Sequence, residues 1–573
     1  MCPNSPYLDY FASLLREVAG RYGPSALYID NFGVSIECRC RFCAEAFREA
    51  TGKERPAKTN WTDAAWQEFR RWSRERNFVL ARQLVEAIRG VRPETVVVFN
   101  RGGFRTLTGH GNPEDIHEFA HHIADNVHGE SAVRFYGQSF CHINEQCAFG
   151  RAIETPMWTW VEYPLLPWSH VSAPPAEVKL KAAKVLANGG RPMVWSVPRS
   201  PDCDERGLEG LAEVFGLAAR FPECFNQTEH VPFLGVLYSS QTMEEYSAGD
   251  GTKFGECQKE FSGVLALARH NHLPADVLLD KHVTREHLSR YRVLILPNAA
   301  ALSEEQCRQI AAFVQAGGGL IAMFESSLFD ERGHQRADFG LAEALGVSFQ
   351  KDLGSQSQRW STGYSVLAES VGRSVCSARV NASGRVVAKE GDYSPTTKLA
   401  AAFRKNYSAV DGQHPVTASL GPGFRLPAGG RHLGVKAQGN ALGLSTLLTR
   451  CRYYCDYPGQ PTGFPGLVAH EFGQGRVLYV PGQFGLTYAE RGFPDYRRLF
   501  RDAVEWMTRG ELPVRTTLPD TVEVTLTRSK AGDPIVHIVN CSADLSRPVE
   551  RVIPVAGATL SVRLPDGKPR RVR

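Results

Sequence analysis

Ala26-Leu27-Tyr28-Ile29-Asp30-Asn31, followed at once by Cys38-x-Cys40-x-x-Cys43, is the stretch from which the rest of the chain is read. The apolar and aromatic residues 26–29 predict a short buried strand, and that strand ends in a carboxylate beside an amide. Barrels of alternating strands and helices present their reactive side chains in this way, at the C-terminal ends of the strands. The three thiols that follow have the spacing of metal ligands on a loop entering a helix. A fourth candidate ligand, Cys2, sits in Cys2-Pro3-Asn4-Ser5-Pro6.

Working outward, residues 1–230 alternate helical and strand signals. Tyr7, Phe11, Leu14, Leu15 and Val18 give one apolar helical face. Thr62 can cap a long helix with the stripe Trp66, Phe69, Leu80, Leu84 and Ile88. Thr95–Phe99 reads as a fully buried strand ending at Asn100-Arg101, and a helix is expected at about 113–124. Further strands are expected to end at Glu130, at Glu162 and near Trp195. About five strands result, which predicts part of a (β/α)8 barrel.

Residues 231–510 restart the pattern with strands at 233–238, 275–279, 292–296 and 320–324. They predict a doubly wound, mostly parallel sheet, interrupted by an irregular insertion at about 350–465. Residues 511–573 alternate in the manner of a small all-β module.

The bulk numbers fit this plan. With 573 residues the chain is too long for one core, and 43% hydrophobic with 22% charged residues is an ordinary globular balance. A net charge of +5, with no basic run interleaved with aromatics, gives no reason to expect nucleic acid. No run of about 18 apolar residues predicts a membrane span. The N-terminus has no signal pattern, and fourteen scattered cysteines, including Cys307 and Cys376, read as reduced thiols. A cytoplasmic location is the expectation.

Several of these motifs resemble one family. Cys2-Pro3-Asn4-Ser5-Pro6-x-Leu8, the strand ending Asp30-Asn31-Phe32-Gly33, the cysteine triplet with Phe47, and Val161-Glu162-x-Pro164 with Trp168 resemble family 42 glycoside hydrolases, the β-galactosidase group. The resemblance implies a barrel, a glutamine-amidotransferase-like trimerisation domain and a small β domain. It further implies retaining cleavage of a β-galactoside or a related small glycoside, a homotrimer, and a structural zinc on Cys2, Cys38, Cys40 and Cys43. It assigns Glu162 as nucleophile. The family's Asn-Glu pair is replaced here by Asp30-Asn31, so Asp30 is the nearest substitute for the acid/base. The Cys-Pro-Asn-Ser-Pro segment follows the third barrel strand in that family, which implies that strands one to three lie outside this sequence.

A strand ending Tyr-Ile-Asp also resembles family 29 α-L-fucosidases. Under that resemblance Asp30 is the nucleophile, and Glu130 or Glu162 is the acid. Each carboxylate can alternatively be a helix cap or a surface ion pair. Asn31, Asn100, Arg101, Trp160 and Trp195 are candidates for binding sugar hydroxyls or faces, with loop capping as the alternative for Asn100 and Arg101. His128 can tune Glu130 or be a satisfied loop residue. A catalytically impaired carbohydrate-binding or assembly protein is the competing reading of the whole chain.

In the second domain, the turn Leu296-Pro297-Asn298-Ala299-Ala300 lacks the amidotransferase nucleophile, and Cys307 falls inside a helix, so amidotransfer is not expected. Gly317-Gly318-Gly319 precedes a strand and lacks phosphate-loop spacing. Cys451 and Cys455 read as packing residues of the insertion.

Overall fold

The computed structural model describes residues 2–30, 32–33, 38–58, 60, 63–100, 123, 125–131, 133–134, 138–154, 157–165, 168–195, 204–226, 228–247, 250–355, 379–380, 386–387, 406–449 and 459–563. The chain divides into two compact units. One comprises Met1–Phe254, Ala268–His282 and Leu512–Arg573; the other comprises Gly255–Leu267 and Val283–Glu511.

The first unit contains a five-stranded sheet with strands in sequence order: β1 (Ala26–Ile29), β2 (Val96–Asn100), β3 (Asn126–Gly129), β4 (Met157–Glu162) and β5 (Arg191–Trp195). All four pairings are parallel. Five parallel strands in chain order form part of a barrel wall, as the sequence predicts. Residues two apart in a strand share a face, so Tyr28 and Asp30, Val98 and Asn100, and His128 and Glu130 rise in pairs toward the C-terminal mouth.

Helix α1 (Tyr7–Tyr22) buries Leu8, Ala12, Leu15 and Ala19 against α3 (Ala64–Arg89), whose Leu80, Leu84 and Ile88 meet Val97 and Phe99 of β2. Truncating one of these leucines to alanine typically costs about 2–5 kcal/mol. The face chosen from the sequence is therefore off by part of a turn. The small Ala12 and Ala19 permit the close approach, while Tyr10 and Leu14 stay exposed. Helix α1 ends at Gly23, whose φ of +57° is the left-handed cap that glycine supplies without strain. Helix α3 is capped by Asp63, whose side chain accepts from the Ala65 N–H. Thr62 and the helix expected at 113–124, apart from Ile123, lie outside the described residues.

After β3 come α4 (Cys141–Ala152), α5 (Pro175–Ala187) and α6 (Leu208–Arg220). The C-terminal hairpin, Val522–Arg528 paired antiparallel with Pro534–Asn540, belongs to this same unit. Its Val539, with Cys541 and Val549 just beyond, shares a core with Val161, Val178 and Val185 and with Leu211 and Val214 of α6.

In the second unit the strand order is Val293–Leu296, Gly319–Met323, Gly475–Val480, Pro461–Phe472, Leu442–Leu448, Asn406–Val410 and Arg425–Ala428. The first three strands are parallel and the rest antiparallel. Part of the stretch expected to be irregular thus extends the sheet. Glycines hide the alternation: a Cβ on Gly466 of Pro461–Phe472 would lie 2.9 Å from Ser408 Cβ of Asn406–Val410. Cys451 and Cys455 lie outside the described residues.

At the turn after Val293–Leu296, Asn298 takes a φ of +49°. Its Oδ1 accepts from the Glu325 N–H at 3.2 Å and its Nδ2 donates to Cys257 Sγ at 3.6 Å. The thiol beside this turn is therefore Cys257, a residue that no local pattern places there. Burial, followed by the charges of Glu325, Glu260 and Glu256, pushes that thiol well above its ordinary range, so it is not a nucleophile.

Candidate active site

The strand ends of β1, β2 and β3 converge on one amide. Asn100 Nδ2 donates to Asp30 Oδ1 at 2.7 Å and to Glu130 Oε1 at 2.8 Å. Two bonds from one nitrogen keep those two oxygens no more than about 5.5 Å apart, which is compatible with the ~5–5.5 Å of retaining glycosidase pairs and below the ~6.5–9.5 Å of inverting ones. Asp30 is exposed and Glu130 half-buried, so solvent or a ligand reaches the pair.

Below this pair lies an aromatic floor. The Tyr28 hydroxyl is 2.8 Å from His128 Nδ1, and the His128 ring lies 5.2 Å from the ring of Trp160. Burial lowers His128 to about 3, so its imidazole is neutral at ordinary pH. Burial, then the charges of Asp30 and Glu130, raise the Tyr28 phenol well above its ordinary value. His128 is 1% exposed, and its Nε2 has no hydrogen-bond partner among the described residues. From the sequence, Tyr28 has no role beyond the strand, and His128 is either a residue that tunes Glu130 or a satisfied loop residue. The period of two would have found both, since each lies two residues before a carboxylate.

Glu162 lies in different surroundings. It is fully buried, and its Oε2 accepts from Lys181 Nζ of α5 at 3.1 Å and from the Arg134 N–H at 3.0 Å. Lys181 also pairs with the buried Glu177 at 2.9 Å. Burial pushes the Glu177 carboxyl up, but the Arg134 fork and Lys181 outweigh it and hold the carboxyl below its usual range. Asn100 thus brings Asp30 and Glu130 together, whereas Glu162 is built into a charge-matched cluster. Trp160 is 8% exposed, and Trp168 stands 73% exposed. Trp195 ends β5 in register with Glu162. Asn31 and Arg101 lie outside the described residues.

The cysteine loop forms a second candidate centre. The Sγ atoms of Cys2, Cys38, Cys40 and Cys43 all lie within 4.8 Å of one another. A zinc tetrahedron with ~2.3 Å Zn–S bonds has S···S edges of about 3.8 Å, so the four thiols could hold a metal after small shifts. Cys40 occupies the residue just before helix α2 (Arg41–Thr51). Burial pushes its thiol up, but the Cys43 N–H and the neighbouring thiols more than offset this and bring it to about 7. Burial holds Cys2 up at about 11. Asn4 Nδ2 donates to Cys43 Sγ at 3.4 Å, while its Oδ1 accepts from Arg76 Nε at 2.7 Å, an outer brace of the kind that orients metal ligands.

This partial parallel barrel followed by a large mixed sheet is the architecture of family 42-type glycoside hydrolases. No family model and no curated protein matches the sequence. Among solved structures, α-L-fucosidase isoenzyme 2 from Paenibacillus thiaminolyticus is similar at a TM-score of 0.71 and 18% identity, over 99% of this chain and 74% of that one. A β-galactosidase from Bacillus circulans sp. alkalophilus is similar at 0.68 and 15%, over 98% and 82%. A GH42 β-galactosidase from G. stearothermophilus is similar at 0.64 and 15%, over 94% and 80%. No helix among the described residues is long and apolar enough to cross a membrane.

Proposed function

We propose that this chain carries the site of a retaining glycoside hydrolase, with Asp30 as nucleophile, Glu130 as acid/base and a terminal α-L-fucoside as substrate. The observation that carries this reading is the shared Asn100 amide, which sets two accessible carboxylates at the spacing of a double displacement. Asp30 attacks the anomeric carbon as Glu130 protonates the departing oxygen. Glu130 then takes a proton from the water that releases the sugar. Asn100 fixes both oxygens before substrate arrives, and the buried rings of His128 and Trp160 pack behind the pair without adding charge. Asn31, Arg101 and Trp195 remain proposed sugar contacts.

Similarity to the fucosidase supports the fucoside. Similarity to the β-galactosidases supports a second reading, a β-galactoside cleaved with Glu162 as nucleophile. The sealed ion pair of Glu162 weighs against it, because a nucleophile must reach the sugar. The accessible carboxylate pair likewise weighs against a purely binding protein. Hydrolysis of p-nitrophenyl α-L-fucoside, abolished in Asp30→Asn, supports the first reading. Hydrolysis of the β-galactoside alone, unaffected by Asp30→Asn, overturns it.

We assign the barrel residues 1–230 as the catalytic part and Cys2, Cys38, Cys40 and Cys43 as ligands of a structural zinc. A closed four-thiolate set gives a metal no open position for chemistry. Residues 231–510 are proposed to support a homotrimer, which light scattering on the purified chain would read directly. The free cysteines support a reducing, cytoplasmic setting.

A further inference from the structure

We infer that the C-terminal segment Leu545–Val549 braces the loop carrying Glu130, with Arg134 as the positioning residue between them; this rests on the reading of Glu130 given above. The loop leaves β3 through Glu130 and Ser131 and reaches Arg134 four residues after the carboxylate. Near its start it is tied by the Val133 N–H to Ser131 O at 3.2 Å, and Gln146 Nε2 reaches Glu130 O at 3.5 Å. At its far end the Arg134 guanidinium takes up most of its donors. Nε and Nη2 form a fork on Glu177, at 3.0 and 2.6 Å. Nη1 donates to Leu545 O at 3.1 Å and Nη2 to Arg547 O at 2.5 Å.

Glu177 in turn accepts from the Val549 N–H at 2.8 Å. All three contacts on the C-terminal side are to main chain, so the latch recognises the path of that segment and not its side chains. Val549 and Val539 then sink into the core shared with α5, which anchors the segment. The same Arg134 contributes its own N–H to Glu162. Glu162 and Glu177 thereby become the supports of a loop that aims Glu130, a use of Glu162 that sequence reading did not offer.

A planar five-donor fork is required here, and a lysine keeps the charge but not the fork. Arg134→Lys in the full chain should lower kcat at least about tenfold with KM within about twofold, because misplacing a catalytic group by an ångström costs up to about a hundredfold. The pH–rate profile gives a readout that a merely structural role would not move. Its shape depends on how Glu130 is placed against Asp30, so letting Glu130 drift changes the profile. If Arg134→Lys fails to fold, Glu177→Gln tests the same latch through the same two readouts.

Wild-type kcat and an unchanged profile in a folded Arg134→Lys overturn the inference. If Glu130→Gln is inactive while Arg134→Lys is normal, only the brace falls. If Glu130→Gln is fully active, the reading of the site falls first, and the brace with it.

Discussion

Two carboxylates stand at the ends of neighbouring strands of one sheet, and their surroundings divide their work. Glu130 follows β3, half-exposed, with a neutral amide on one oxygen. Glu162 ends β4, fully buried, with an ammonium and a main-chain N–H on one oxygen. A strand end therefore proposes a functional residue but does not settle its role. The partner does: a charge that is already neutralised in a dry pocket is structural support, whereas a charge held by a neutral donor at an open mouth can react.

The comparison breaks most sharply in the kinetics of the pair. Asp30→Asn and Glu130→Gln should each lower kcat by at least about a hundredfold, as measured on an aryl glycoside. Glu162→Gln should leave kcat within a few-fold of wild type and instead lower stability by about 1–3 kcal/mol in urea melts, since Lys181 would lose one of its two carboxylates. An inactive but fully stable Glu162→Gln would reverse the two assignments. Asn100→Ala should fall between these cases, losing about ten- to a hundredfold, because it removes orientation but no reacting group.

Away from the mouth, Cys40→Ser should lose bound zinc in elemental analysis, and equal metal content in parent and variant would reject the ligand set. The last prediction concerns His128 and bears on stability at low pH, not on rate. Its folded value is lowered from 6.5 to about 3, so protons favour the unfolded chain. The stability this gives is fully present above pH 6.5 and is lost as pH falls toward 3. His128→Asn should flatten that part of the stability curve, read by thermal melts across the window.

The legible part of the molecule was what local pattern encodes. The run Thr95–Phe99, the strand ending at Asp30 and the thiol spacing each state their structure within a few residues. What escaped notice depends on partners far apart in sequence. Lys181 reaches Glu162 across α5, and Leu545 and Arg547 reach Arg134 from the C-terminus. No periodicity announces such pairings. The antiparallel strands that begin between 406 and 461 were obscured for a related reason, since glycines placed for close packing, such as Gly466, erase the alternation that marks a strand. Asn100 reads from the sequence as a sugar contact or a loop cap, and its bridge between Asp30 and Glu130 is visible only with three strand ends side by side.

The most direct measurement is to trap the glycosyl-enzyme with a 2-deoxy-2-fluoro glycosyl fluoride matched to the substrate hydrolysed, then locate the label by peptide mass spectrometry. Label on Asp30 is the predicted result; label on Glu162, or no covalent adduct from an active enzyme, would contradict it.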